Sequence, residues 1–297
     1  MKIIKTIVIG LLVCILISYG YFVKDVENAA NKNKEPITTI KGEAGVLMDV
    51  ETGKVIYAKN ENKKLFPAST TKMLTGLLAI KYGNLDDEIT VGKEVKLKTT
   101  GESTAWLKEG QVLTLRELLA GLMLPSGNDA ARTIAIYTAK RQMGNSHGSD
   151  EKALDYFVNM MNKEAKKLGA FDSHFMNPHG LHHTNHYSTA HDLGIIAKAA
   201  MKKANFREIV SSKIYSDEAI TYENRNQLLN SESPFYFEGA NGIKTGFTDE
   251  AGYCLVSSAE RNGKKVIAVV LNSDQNNVWN DSIALLKKGF TSEYVKK

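Results

Sequence analysis

The chain has 297 residues, of which 43% are hydrophobic and 24% charged, with 5 prolines and 23 glycines. That ordinary globular composition excludes wholesale disorder and collagen-like architecture, and no period of about 20–50 residues marks a solenoid. Lys and Arg number 38 against 33 Asp and Glu, a net charge of +5 with no basic run; this suits work beside an anionic polymer or membrane and is too weak to argue for nucleic acid.

Lys2 and Lys5 precede an uncharged run from Thr6 to Val23. A basic start before an apolar segment is an export signal, and the run is also just long enough to span a bilayer as a helix. Ser18-Tyr19-Gly20 and Asn28-Ala29-Ala30 offer small residues for cleavage, but neither is a clean Ala-x-Ala site. A cleaved signal and an uncleaved anchor both stay open over residues 1–23, and in either case the rest is exported. Residues 24–41 are polar and aperiodic and read as a tether, leaving 42–297 as the folded domain. Cys14 lies in the apolar run, so the domain keeps only Cys254. It has no internal disulfide and no cysteine-based zinc site.

Gly45–Val50 and Lys54–Lys59 are short β-type runs around Glu51-Thr52-Gly53, a hairpin signal. Pro67-Ala68 leads into a predicted helix, Ser69–Lys81, with Met73, Leu74, Leu77, Leu78 and Ile80 largely buried. Leu115–Leu124 and Asn128–Lys140 read as helices separated by Pro125-Ser126-Gly127. Glu151–Leu168 is amphipathic, and Ser188–Lys203 is a further helix capped by Ser188 or Thr189. Gly252–Ala259 and Lys264–Leu271 flank Asn262-Gly263, a strong hairpin signal, and Asp281–Phe290 closes the chain as a helix. Strands at both ends and helices in the middle imply one antiparallel sheet built from both chain ends, with a helical lobe inserted. A cleft between such lobes is the expected site.

Three motifs carry chemistry. In Ser69-Thr70-Thr71-Lys72, helical spacing puts the hydroxyl beside the amine. A neutral lysine can take the serine proton, and burial or a second cation lowers its pKa. Ser126-Gly127-Asn128 sits in the break between two helices; Ser126 can relay a proton to a leaving amine, and Asn128 can bind a carbonyl or fix Lys72. Read alone, it is an ordinary turn with an Asn cap. Lys244-Thr245-Gly246 precedes the last hairpin. On an edge strand it would let a substrate lie alongside, offering a cation and a hydroxyl to a carboxylate. Each motif alone is common. Together, in this order and 57 and 118 residues apart, they form the motif set of class A β-lactamases and penicillin-binding proteins.

The surrounding text extends the likeness: FPASTTKMLTGLLAI, LLAGLMLPSGNDAA, NPHGLHHTNHYSTAHDLG and NGIKTGFTDEAGYCLVSSAERNG. Over about residues 42–290 the chain resembles the low-molecular-mass penicillin-binding proteins, the serine D-alanyl-D-alanine carboxypeptidases of peptidase family S11. The resemblance implies an α/β (α+β) transpeptidase-like fold, a five-stranded antiparallel sheet flanked by helices with an inserted all-α lobe. It implies Ser69 as acyl-enzyme nucleophile, Lys72 as proton acceptor, and Ser126 and Asn128 completing the cleft. Lys244, Thr245 and Gly246 would bind substrate, and the backbone N–H groups of Ser69 and Phe247 would form the oxyanion hole. The expected partners are a peptidoglycan stem peptide, β-lactams as covalent inhibitors, and the membrane through an uncleaved N-terminus, with no cofactor and no nucleic acid. Many relatives carry a further β-domain and a C-terminal anchor; here the N-terminal segment would have to anchor. Position 247 is Phe where His or Thr is frequent, which leaves a backbone role intact.

Four rival readings follow. A β-lactamase needs a deacylating carboxylate, and Glu151-Lys152-Ala153-Leu154-Asp155 is superficially apt, although Glu151 reads better as a helix-start residue. A D,D-endopeptidase would use the same motifs. A metalloenzyme could draw on His179, His182, His183, His186 and His191, whose spacing gives no helical pair with an obvious third ligand. A non-catalytic wall-binding protein would be expected to lose a motif residue, and none is missing.

Overall fold

The computed structural model describes residues 39–144, 148–217 and 220–291. The apolar run at 6–23, and the tether as far as residue 38, lie outside the described residues. Among the described residues no helix is long and apolar enough to cross a membrane.

The sheet draws on both chain ends, as the strand pattern predicts. Strands β1 (Ala44–Asp49) and β2 (Val55–Lys59) form the first hairpin, and β7 (Ala240–Thr248), β8 (Gly252–Arg261) and β9 (Lys264–Ser273) form the C-terminal meander. Their order is β2-β1-β9-β8-β7, antiparallel throughout, so β1 and β9 join the two ends at the centre. Central position explains composition: all six residues of β1 are buried, and β9 reads Val266-Ile267-Ala268-Val269-Val270-Leu271 because both its faces are covered. β7 is left on the edge, where the Lys244 motif was expected.

Helix α7 (Asn277–Thr291) covers one face of the sheet, packing on β9 and β8, while α5 (Ala190–Met201) packs on β9 and β1. Thr189 caps α5 by accepting the Asp192 N–H at 3.0 Å, which settles the choice between Ser188 and Thr189. The inserted lobe contains α1 (Lys72–Tyr82), α2 (Leu115–Met123), α3 (Asn128–Met143) and α4 (Asp150–Leu168), with α1 and α3 in contact through its centre. Met73, Leu74, Leu118, Leu119, Ile134 and Phe157 belong to its continuous core.

Four features depart from the pattern read in the sequence. Strands β3 (Glu88–Thr90) and β4 (Val112–Thr114) make a two-stranded sheet, as do β5 (Ile214–Ser216) and β6 (Thr221–Glu223), and a short helix α6 (Ala204–Ser211) follows α5. Three-residue strands are too short to show alternation. The Ser69 turn is also a 3₁₀ turn, Ala68–Thr71, that passes into α1, rather than α-helix from Ser69.

The Asp281 carboxylate of α7 accepts the N–H groups of Lys41 and Gly42 at 3.0 and 2.8 Å. Asp281 is buried, so these two bonds tie the C-terminal helix to the entry of β1. Asp281→Ala leaves two amides unpaired and should cost about 1.5–3 kcal/mol. Thermal unfolding should register this as a fall in Tm of about 2–4 °C per kcal/mol.

Candidate active site

The 3₁₀ turn eclipses positions i and i+3, so Ser69 and Lys72 project side by side and Lys72 Nζ lies 2.9 Å from Ser69 Oγ. Lys72 has no exposed surface. Nζ also donates to Asn128 Oδ1 at 2.6 Å and to the His179 carbonyl at 2.8 Å. Both partners are pure acceptors. A neutral amine has two N–H groups and one lone pair, so the two acceptors take both N–H groups and the lone pair is left for the Ser69 hydroxyl. Burial, with the charge of Lys244 second, holds the Lys72 pKa well below the ordinary lysine value.

Two threonines, one in the turn and one in α1, explain how this turn is seated. Thr75 Oγ1 donates to the Pro178 carbonyl at 2.6 Å, and Thr71 Oγ1 pairs with His186 Nε2 at 2.9 Å. His186 Nδ1 accepts the Met176 N–H, so Nε2 carries the proton and donates to Thr71. Burial pushes the His186 pKa down to about 3, which keeps it neutral. Asn177 shapes the same loop by accepting the Gly180 N–H at 2.7 Å and donating to the Leu181 carbonyl at 2.9 Å. Gly180, at φ +89°, passes so close to the turn that a Cβ would fall 1.9 Å from the Ala68 carbonyl oxygen.

Ser126 lies between α2 and α3 at φ 69°, buried, with an Oγ that has no hydrogen-bond partner among the described residues. It is not bonded to Lys72. Asn128 is the first residue of α3 and Gly127 occupies the cap position, so the plain reading of Asn128 as a helix cap does not hold. The Asn128 side chain instead points to Lys72. From the opposite wall, β7 contributes Lys244, buried, with Nζ donating to the Thr245 carbonyl at 3.1 Å. Burial first, and the Arg225 charge second, lower the Lys244 pKa to about 7. Gly246 faces the turn: a Cβ there would lie 3.0 Å from Ser69 N. Phe247 is exposed, its ring 4.5 Å from that of Tyr253. Ser69, Ser126, Asn128, Thr245, Gly246 and Phe247 line one cleft of about 740 Å³, with Lys72 and Lys244 buried behind it.

The sequence profile of the D-alanyl-D-alanine carboxypeptidase family, peptidase S11, matches residues 29–275. The chain belongs to this family. It is 30% identical to the D-alanyl-D-alanine carboxypeptidase DacF of Bacillus subtilis, over 99% of this chain and 72% of that one. It is 36% identical to DacD of Escherichia coli, over 77% of this chain and 58% of that one, so it spans little more than half the length of that relative. Among solved structures it is similar to the Streptomyces K15 DD-transpeptidase, with a TM-score of 0.78 and 34% identity over 86% of this chain and 98% of that one. It is also similar to penicillin-binding protein D2 of Listeria monocytogenes in its cefotaxime-bound form, with a TM-score of 0.73 and 28% identity over 86% of this chain and 100% of that one. The penicillin-binding-protein fold expected from the resemblance is therefore the fold of this chain.

The rival features find other places. Glu151 sits exposed in the first turn of α4 and is not among the residues lining the cleft. The five histidines separate: His179 lends its backbone to Lys72, and the His182 ring meets Phe66 edge-on. His183 accepts the Asn185 N–H, His186 holds Thr71, and His191 lies beside Asp192. Among the described residues they join no cluster able to hold a metal ion.

Sequence reasoning missed Gly180, Glu102, Arg132 and Arg225. Gly180 sits in Asn177-Pro178-His179-Gly180, a turn signal that could have been followed. The acidic and basic residues carry no local signal, because only the fold brings Glu102 from a loop to Arg132 on α3. Gly180→Ala should displace the Ser69 turn. A displacement of about 1 Å costs on the order of a hundredfold, so kcat/KM for a D-Ala-D-Ala peptide should fall by about that factor. An unchanged kcat/KM would show that the turn is not held by this contact.

Proposed function

We propose that this chain removes the terminal D-alanine from peptidoglycan stem pentapeptides through an acyl-enzyme on Ser69. The observation that carries the reading is the hydrogen-bond set of Lys72: two fixed acceptors on its N–H groups and a serine hydroxyl at its lone pair. Ser69 Oγ attacks the carbonyl of the penultimate D-Ala as Lys72 takes the hydroxyl proton. The oxyanion that forms meets the backbone N–H groups of Ser69 and Phe247; the close approach of Gly246 to Ser69 N supports that pairing. The leaving amine of the terminal D-Ala collects a proton relayed from Lys72 through Ser126, whose unpartnered Oγ suits a group that bonds only when substrate is present. Water then hydrolyses the ester. Lys244 and Thr245 hold the substrate's terminal carboxylate while the substrate lies along the open edge of β7. β-Lactams fit the same cleft as covalent inhibitors, because their acyl group and carboxylate resemble the substrate terminus. The apolar run at 6–23 supports export to the outer face of the cell membrane, with membrane attachment if the run is not cleaved.

Penicillin should add one equivalent of mass to the protein, on Ser69, in intact-mass analysis. An intact chain without adduct, or an adduct that survives Ser69→Ala, would sink the assignment.

The pH dependence has a definite sign. Lys72 acts when neutral, so acylation rises with pH through its lowered pKa. Lys244 binds a carboxylate when charged, so that contribution is present below about pH 7 and lost as pH rises through it. For the free enzyme, kcat/KM on a pentapeptide should therefore descend above about pH 7, while an amidated analogue should show no such limb. A charge-assisted hydrogen bond is worth about 1.5–3 kcal/mol, so Lys244→Ala should weaken pentapeptide turnover roughly ten- to a hundredfold beyond its effect on the amide. Equal losses on the two substrates would remove Lys244 from carboxylate recognition.

A further inference from the structure

Asn128 touches Lys72 with one end of its amide, and the other end is also held. Asn128 Nδ2 donates to Glu102 Oε2 at 3.3 Å. The same carboxylate receives both arms of Arg132, Nη1 to Oε1 at 2.9 Å and Nη2 to Oε2 at 2.6 Å. The pair is enclosed, with side-chain exposures of 5% for Arg132 and 1% for Glu102. The loop that carries Glu102 is fastened to α3 as well. Asp129 accepts from Thr104 Oγ1, Ala105 N and Leu107 N at 2.5, 2.8 and 3.0 Å, and Asn128 N donates to the Ser103 carbonyl at 2.9 Å. A chain of contacts thus runs from Arg132 through Glu102 and Asn128 to Lys72.

An amide has an accepting end and a donating end of nearly the same shape. If Asn128 turned over, its N–H groups would face the Lys72 lone pair and compete with the Ser69 proton. A carboxylate only accepts, so Glu102 bonds the donating end alone and leaves the oxygen for Lys72. Resting on the reading of Lys72 as proton acceptor, we propose that Glu102, clamped by Arg132, is a positioning residue for acylation: it fixes which end of the Asn128 amide faces the lysine and balances the charge around it.

The balance follows from the groups that face Lys72. They are Lys244 on β7, Arg225 on the loop ahead of it, the neutral His179 on the loop beside α1, Arg132 on α3 and Glu102. Lys244, Arg132 and Arg225 disfavour a charged Lys72, and Glu102 favours it. Within the ion pair the two effects oppose each other, so removing one member exposes the other.

The test is the rate of penicillin acylation against pH, with melting temperature as a check on folding. Glu102→Gln leaves the Arg132 charge unopposed, and the acid limb should move about one unit to lower pH. Arg132→Gln leaves the Glu102 charge unopposed, and the limb should move about one unit to higher pH, slowing acylation about tenfold on the limb. The double variant Glu102→Leu with Arg132→Leu buries no unpaired charge and should stay folded. It should return the limb near its wild-type place while the plateau falls on the order of ten- to a hundredfold, because Asn128 has lost its guide. A purely structural ion pair would lower stability in both single variants without moving the limb in opposite directions. Limbs that move the same way or not at all, or a double variant with a wild-type plateau, overturn the inference alone. A wild-type chain that forms no adduct overturns it together with the Ser69 reading.

Discussion

Everything around the cleft answers to one constraint: the amine of Lys72 lies where water does not reach. A buried ammonium without a counter-charge is expensive, so the amine there is held in the neutral form. A neutral amine in turn tolerates only as many acceptors as it has N–H groups. The Asn128 side chain and the His179 carbonyl meet that number, and the remaining contact is a serine hydroxyl. Ser69 and Lys72 share one turn, but the two acceptors come from elsewhere: one from the start of α3, the other from the loop after Pro178. The basicity of one side chain therefore depends on three parts of the chain being in place together.

That dependence explains why polar residues are buried in otherwise apolar surroundings. Thr71 at the end of the 3₁₀ turn and Thr75 in α1 interrupt the hydrophobic surface because they, with Lys72, dock onto the 176–186 loop. His186 is neutral and serves that docking. On the far wall Lys244 sits on the edge strand, which pairs with β8 on one side and meets the Ser69 turn and the cleft on the other. Among the described residues no carboxylate forms an ion pair with it, so it adds positive potential behind the cleft that depresses Lys72.

Much of this was legible in the sequence where local chemistry and periodicity agree. The Asn262-Gly263 turn placed the last hairpin, the apolar run of α1 placed Ser69 and Lys72 on a buried turn, and the break at Pro125-Ser126-Gly127 placed Asn128 at a helix start. What could not be read is the meeting of distant residues. The number of strands came with the family resemblance and not from any run of residues. The histidine-rich stretch showed no ligand spacing, but one-dimensional proximity could not say where each ring would point; in the fold the rings serve separate contacts. Glu102 lies in Thr99-Thr100-Gly101-Glu102-Ser103, which reads as a plain polar turn, and its value comes only from Arg132, thirty residues on. The three-residue strands fell below the length at which alternation is visible.

The pairing of β1 with β9 also governs how the protein is made. Leu47 opposes Ala268, so the central ladder joins residues roughly 220 positions apart, and such long-range closure is slow in folding. The lobe and the sheet share one apolar core, so neither is finished without the other. Lys244 and Gly246 reach the cleft on β7, which hangs on β8 and through it on β9. The far wall of the cleft is therefore only as secure as a closure made between the two ends of the chain, and an insertion in the last hairpin would reach the nucleophile's surroundings through two strand pairings.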